Sequence, residues 1–228
     1  MAMSYHDFIH HLQWQDIPTP TQDMACRCLL DLLGVAASGM QTDLSRIIRQ
    51  HALQQFGAGT TPARILFDGR SCSPAGAALA GGMTIDSIDA HDGYKPAKGH
   101  AGCGVLPALL AMLEAECDTN VSEEELLTCL VIGYEIACRA AESLHDSVCD
   151  YHTSGAWVAL AVAALGARIM KLDAEQTKHA LGIAEYHGPR SQMMRCIDHP
   201  TMLKDGSGWG AMAGVSACLL YTSDAADE

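Results

Sequence analysis

Positive charge is scarce in this chain of 228 residues. Its 14 lysines and arginines face 27 aspartates and glutamates, for a formal net charge of −13. Nucleic acid is thereby excluded as the main partner, because neutralising phosphates takes a basic face. A small anionic ligand remains admissible, since a cationic pocket can sit on an acidic molecule. Aromatic residues are few, 5% against 49% hydrophobic overall. The core must then be built from Ala, Leu, Val, Ile and Met, which suits close-packed helices better than a sandwich. Paired cysteines are missing: there are ten cysteines and no CxxC, and most lie singly in apolar helical patterns. That excludes a regular zinc or disulfide framework and fits buried, reduced thiols in a cytosolic protein. The opening MAMSYHDFIHHLQW lacks a basic stretch followed by an apolar core, so no signal peptide is expected. The longest apolar run, Ala156 to Ala167, is too short for a bilayer and is followed by Arg168. The expectation is a cytoplasmic protein with no membrane partner.

What the chain does contain is helical periodicity. Tyr5 to Trp14 fits a short first helix. Thr19 as N-cap, Pro20 in the first turn and Gly39 at the C-terminal cap frame a second, with Met24, Leu29, Leu32, Leu33 and Ala36 on one face. Asp43 to Phe56 repeats the pattern through Leu44, Ile47, Ile48 and Ala52. ARILF followed by Asp68-Gly69 reads as one small hairpin with a two-residue turn. Ala75 to Met83 is a helix so poor in bulk that another must approach it closely. Leu106 to Glu116 is the next helix. Ser122 and Glu125 form a capping box for a helix reaching about Leu144. An alanine-rich helix follows Ser154, Asp173 and Gln176 cap another that ends near Tyr186, and Gly208 to Leu220 is the last. The fold class is all-α with one small β-hairpin.

Ionisable residues concentrate at three helix entrances. Asp86, Asp89, His91, Asp92, Tyr94, Lys95, Lys98 and His100 fall within fifteen positions between two apolar segments. Asp150 to Ser154 forms a second cluster, and Arg190 to Lys204 a third. Helix N-termini offer free N–H groups and a positive dipole end, which suit carboxylates. Taken singly, His152 is an ordinary capping or surface histidine, Lys204 a solvated lysine, and Asp89 or Asp92 a turn former. It is their coincidence that points to a site. Cys103 beside His100 reads as an inert buried thiol rather than a nucleophile, and GHAGCG is not a phosphate loop, because no strand precedes it. His91-Asp92 invites a second reading, a metal-dependent phosphohydrolase of HD type, which needs further His and Asp ligands on neighbouring helices. A third reading is a non-catalytic helical scaffold.

The stretches IDAHDGYKPAKGHAGCGVLPALLA, YHTSGAWVALAVAA and MLKDGSGWGAMAGVSA, in that order and spacing, resemble the MmgE/PrpD family. That family includes 2-methylcitrate dehydratase, cis-aconitate decarboxylase and iminodisuccinate epimerase. The resemblance implies a multi-helix domain that in the family is followed by an α+β lid. It also implies a metal-free and cofactor-free lyase or epimerase, closest to the 2-methylcitrate dehydratase type. The substrate would be a small di- or tricarboxylate, and the full-length protein a homodimer. It assigns catalysis to Asp89, His100, His152 and Lys204, and substrate binding to Asp92, Lys98 and Ser207. Many members carry a histidine where this chain has Ser207. Dehydratases and decarboxylases tend to a DDTxxHP-type sequence where it reads GYKPAKGH. Residues 1–220 are expected to form an incomplete first domain, poorly soluble by itself, and 221–228 a tail foreign to the natural protein.

Overall fold

Four helices made almost wholly of small and aliphatic residues form the centre of the molecule. The computed structural model describes residues 4–117 and 121–221. The central helices are α4 (Pro74–Asp86), α5 (Gly102–Glu116), α7 (Gly155–Ile169) and α10 (Ser207–Tyr221). Their small side chains let backbones approach: a Cβ on Gly82 would lie 2.8 Å from the Gly208 Cα, and one on Gly81 would overlap Pro107. Around them lie α1 (Tyr5–His11), α2 (Thr19–Gly39), α3 (Asp43–Gln55), α6 (Glu123–Ser147), α8 (Ala174–His187) and the single turn α9 (Arg195–Asp198). Strands β1 (Ala63–Arg64) and β2 (Ser71–Cys72) pair antiparallel. Among the described residues the fold is all-α with this one small hairpin, and no helix is long and apolar enough to cross a membrane.

Several local expectations change. The first helix stops at His11, and a 3-10 turn carries Trp14 to Asp16. Thr19 lies inside α2 rather than capping it, and Pro18 takes the cap position. Met24 and Ile47 are exposed, because their helices bury a narrower stripe than the periodicity implied. The hairpin turn is longer than two residues: the Gly69 amide donates to the Ile65 carbonyl, and Phe67 and Gly69 both take positive φ. Helix α5 begins at Gly102, so Pro107 lies within it. Ser122 does cap α6. The Glu125 carboxylate, however, turns away to Arg168, 2.7 Å from Nε and 2.8 Å from Nη2, so the box is half made. A buried guanidinium draws that carboxylate more strongly than a solvated amide does. The residues from 222 of the supposed tail lie outside those described, and α10 runs through position 220 to Tyr221.

Candidate active site

Asp86 ends α4, and its position is dictated by the helix: an apolar helix has a single acidic residue, in its last turn. The first turns of α5, α7 and α10 gather around that end. Gly82 packs on Gly208 and on the Cys103 carbonyl, Gly104 on Val158 and the Ser207 carbonyl, and Gly155 on the Gly206 carbonyl. These contacts are closed to any side chain, so the three entrances meet because the sequence puts glycine at each. Three positive dipole ends thus converge on one region.

Asp86 and His91 are buried in that region, with side chains 1% and 0% exposed and His91 Nε2 3.5 Å from Asp86 Oδ1. Among the described residues neither carboxylate oxygen of Asp86 and neither ring nitrogen of His91 has a hydrogen-bond partner. Burial pushes the Asp86 carboxyl up to about 6, against the pull of Lys204. Burial, with His100 adding to it, takes the His91 imidazole down to about 4. The Lys204 ammonium stands 3.6 Å from Asp86 Oδ1 and 3.5 Å from Asp89 Oδ1. Burial disfavours its charge, but Asp86, Asp89 and Asp205 together outweigh that and raise its pKa.

His100 lies over His91, ring centroids 4.2 Å apart, with Nε2 3.8 Å from Asp89 Oδ1. Its Nδ1 is 2.5 Å from the Asp92 carbonyl oxygen. A carbonyl only accepts, so Nδ1 carries the hydrogen, and Nε2 is the atom free to take or give a proton. The His100 amide donates to Ser154 Oγ at 3.1 Å, which ties the loop to the start of α7.

Backbone strain is concentrated here. Asp89 and Lys98, on either side of His91, and Leu203 all have positive φ without being glycine. Leu203, at φ 68, is the centre of a γ-turn closed by the Lys204 amide and the Met202 carbonyl at 2.9 Å. Such a turn is strained for a branched side chain, and it aims Lys204 inward. Next to it Asp205 accepts from the Thr153 hydroxyl, and the Gly206 amide donates to Thr153 Oγ1 at 2.9 Å.

The other expected residues are placed differently. Asp92 turns away from Lys204. Burial raises its carboxyl, while the Tyr134 hydroxyl and the Gly102 amide favour the ionised form. His91 and Asp92, though adjacent, therefore face different partners. His152 donates its amide to His145 Nε2 at 3.1 Å and pairs with Gln192. Lys98 lies over the Tyr151 ring, 5.2 Å from its centroid. Neither touches Lys204 in any contact among the described residues. Ser207 opens α10 with its Oγ fully buried. Cys103 is fully buried too, and burial holds its thiol well above the usual range. The donor atoms of Asp89, His91 and His100, and those of Asp86, His91 and Cys103, lie within 4.8 Å of one another, close enough to hold a metal ion. Lys204 already brings positive charge to both carboxylates. Asp86 is the residue that sequence reasoning left without a role, and His91 entered only in the metal reading. The available signal was an acid inside an otherwise apolar helix.

The family model of the MmgE/PrpD N-terminal domain matches residues 5–225. A cis-aconitate decarboxylase-like protein of Aspergillus oryzae is 24% identical over 185 residues, covering 78% of this chain and 38% of that protein. Cis-aconitate decarboxylase of Homo sapiens is 26% identical over 194 residues, covering 81% of this chain and 39% of that enzyme. The chain spans about two fifths of the length of these curated relatives.

Proposed function

This chain belongs to the MmgE/PrpD family, and we propose on that footing that it carries the proton-transfer site of a lyase acting on a di- or tricarboxylate. The observation that carries the reading is the Lys204 ammonium 3.5–3.6 Å from two carboxylates, beside a histidine whose free Nε2 faces the same group. A substrate carboxylate entering there meets Lys204 and the positive ends of α5, α7 and α10. These fixed charges stabilise the negative charge that develops beside the reacting carbon. His100 Nε2 moves the proton, a contribution on the order of 10²–10⁴-fold. Asp89 stabilises the imidazolium.

In a decarboxylation of cis-aconitate carbon dioxide leaves, the electrons of the broken C–C bond form a new double bond, and the electrons of the old double bond take a proton from the His100 imidazolium at the carboxylate-bearing carbon. In a dehydration Nε2 removes the proton, and the departing hydroxide needs an acid. Asp86, held up to about 6 by burial, supports that second reading. The names of the relatives favour cis-aconitate as the first substrate to try, and the dehydratase reading makes 2-methylcitrate the second. Both are to be offered to the protein, with His100→Ala and Lys204→Ala beside it and products followed by NMR. Turnover that falls at least a hundredfold in each variant and survives exhaustive chelation is the expected result. Near-wild-type turnover in both variants refutes the assignment, and a protein inert to both acids that hydrolyses a phosphoester only while it holds its metal favours the phosphohydrolase.

A further inference from the structure

A cavity of about 150 Å³ adjoins the buried group, and it is bordered by two cations: Lys204 and Arg195. Pockets for drug-sized ligands run from ~300 Å³ upward, so this one suits a small acid. Thr153, Ser191, Gln192 and Trp209 are among its other walls. We infer that Arg195 is a specificity-determining residue, binding a second carboxylate of the acid held at Lys204. The inference rests on the polycarboxylate reading and adds to it a requirement: two carboxylates at least, one for each cation.

Three features argue for it. First, this acidic chain sets most of its arginines on its own carboxylates, as at Arg49, Arg64, Arg70, Arg168 and Arg190, and of those without such a partner among the described residues, Arg27 and Arg195, only Arg195 borders this cavity. Among the described residues Arg195 has no acidic partner. Its side chain donates from Nη2 to the Thr201 hydroxyl at 2.8 Å, which orients the guanidinium and leaves its other donors unused. Second, the acid beside it is occupied. Asp205 borders the cavity, but its Oδ1 already accepts from the Thr153 hydroxyl and, at 2.5 Å, from the Gly206 amide. Third, the two cations differ in kind. An ammonium is a point charge suited to a reacting carboxylate, whereas a guanidinium offers a planar fork that grips a carboxylate through two parallel bonds. Trp209, 39% exposed at the same wall, gives the carbon chain between the two ends an apolar surface.

The test compares wild type, Arg195→Ala and Arg195→Lys on cis-aconitate, with calorimetric titration of the unreactive propane-1,2,3-tricarboxylate and of butyrate. The alanine variant is expected to raise KM and the tricarboxylate Kd ten- to a hundredfold, with a much smaller effect on kcat, as loss of uniform binding does. Lysine is expected to recover only part, since it restores charge without the fork, and butyrate binding is expected not to move. Wild-type Kd and KM in Arg195→Ala, with circular dichroism unchanged, overturn the inference and leave the lyase reading standing. Tricarboxylate binding that depends on Arg195 without any turnover upholds the subsite and counts against the lyase. A wild-type protein that takes up no tricarboxylate overturns both.

Discussion

Asp86 and His91 hold opposite ends of one electrostatic conflict. Asp86 titrates near 6 in the folded chain against an ordinary 3.8. Between those values the folded state keeps a proton that the unfolded state has lost, so stability falls as pH rises from about 4 to about 6. His91 titrates near 4 against an ordinary 6.5. There the unfolded state holds the extra proton, and stability rises with pH over nearly the same window. The two slopes oppose, and the wild type is expected to look almost flat. Asp86→Asn removes only the first. It should be more stable than wild type at pH 7.5 by on the order of 1–3 kcal/mol, with the gain vanishing near pH 4, as read by urea unfolding at both. Equal stabilities at pH 7.5 would mean that Lys204 already offsets the whole cost of burying that charge. A polar group kept at such a cost is in keeping with the role proposed for this site. Read from the sequence, Asp86 is one acid among several in a crowded stretch. Its burial follows from the packing of α4 on all sides, every residue from Gly76 to Asp86 being buried, and the mark left in the sequence is an acid ending an otherwise apolar helix.

Helix α1 is tied down by Arg168, near the end of α7, and by the Thr177 hydroxyl of α8, 3.0 Å from His10 Nε2. Arg168 donates to the Ile9 carbonyl at 2.7 Å and to the Leu12 carbonyl at 3.0 Å, while Glu125 neutralises it from α6. Those two carbonyls lie at and just beyond the end of α1, where helical partners run out. Arg168→Met should cost on the order of 1–3 kcal/mol, because it leaves the Ile9 and Leu12 carbonyls without their donor, while Glu125, 39% exposed, is taken up by water. Hydrogen exchange should locate the loss first in residues 5–17. Uniform exchange across the molecule would show that α1 is held by its apolar face instead. The sequence reading missed this latch, since the Ser122/Glu125 spacing matches a local capping box. Local capping and distant pairing compete for one carboxylate, and the distant, drier partner wins. Where no such competitor exists, as at Asp173 and Gln176, the box forms in full as read.

The whole molecule is acidic, with a sequence pI of about 5.1 and a net charge of −13, yet Lys204 and Arg195 place two positive charges on the wall of one small cavity. Long-range charge therefore sets what stays away, and short-range charge what is held. The protein should bind an anion exchanger at pH 7.5, pass unretained through heparin, and be least soluble near pH 5, where its charge vanishes. Retention on heparin at physiological salt would reveal a basic face that the charge balance conceals. Composition and periodicity by themselves determined the helical class, the small hairpin and most helix spans, because each depends on residues within a turn or two of one another. They also marked the three entrances where His100, His152 and Lys204 stand. Tertiary packing alone decided that His100 and Lys204 share Asp89 while His152 and Lys98 gather around Tyr151 and His145. It alone decided that Asp86 and His91 are buried together and that Arg195 faces the same cavity as Lys204. Those relations depend on the crossing of glycine-faced helices far apart in the chain, where a shift of one ångström changes which charges meet.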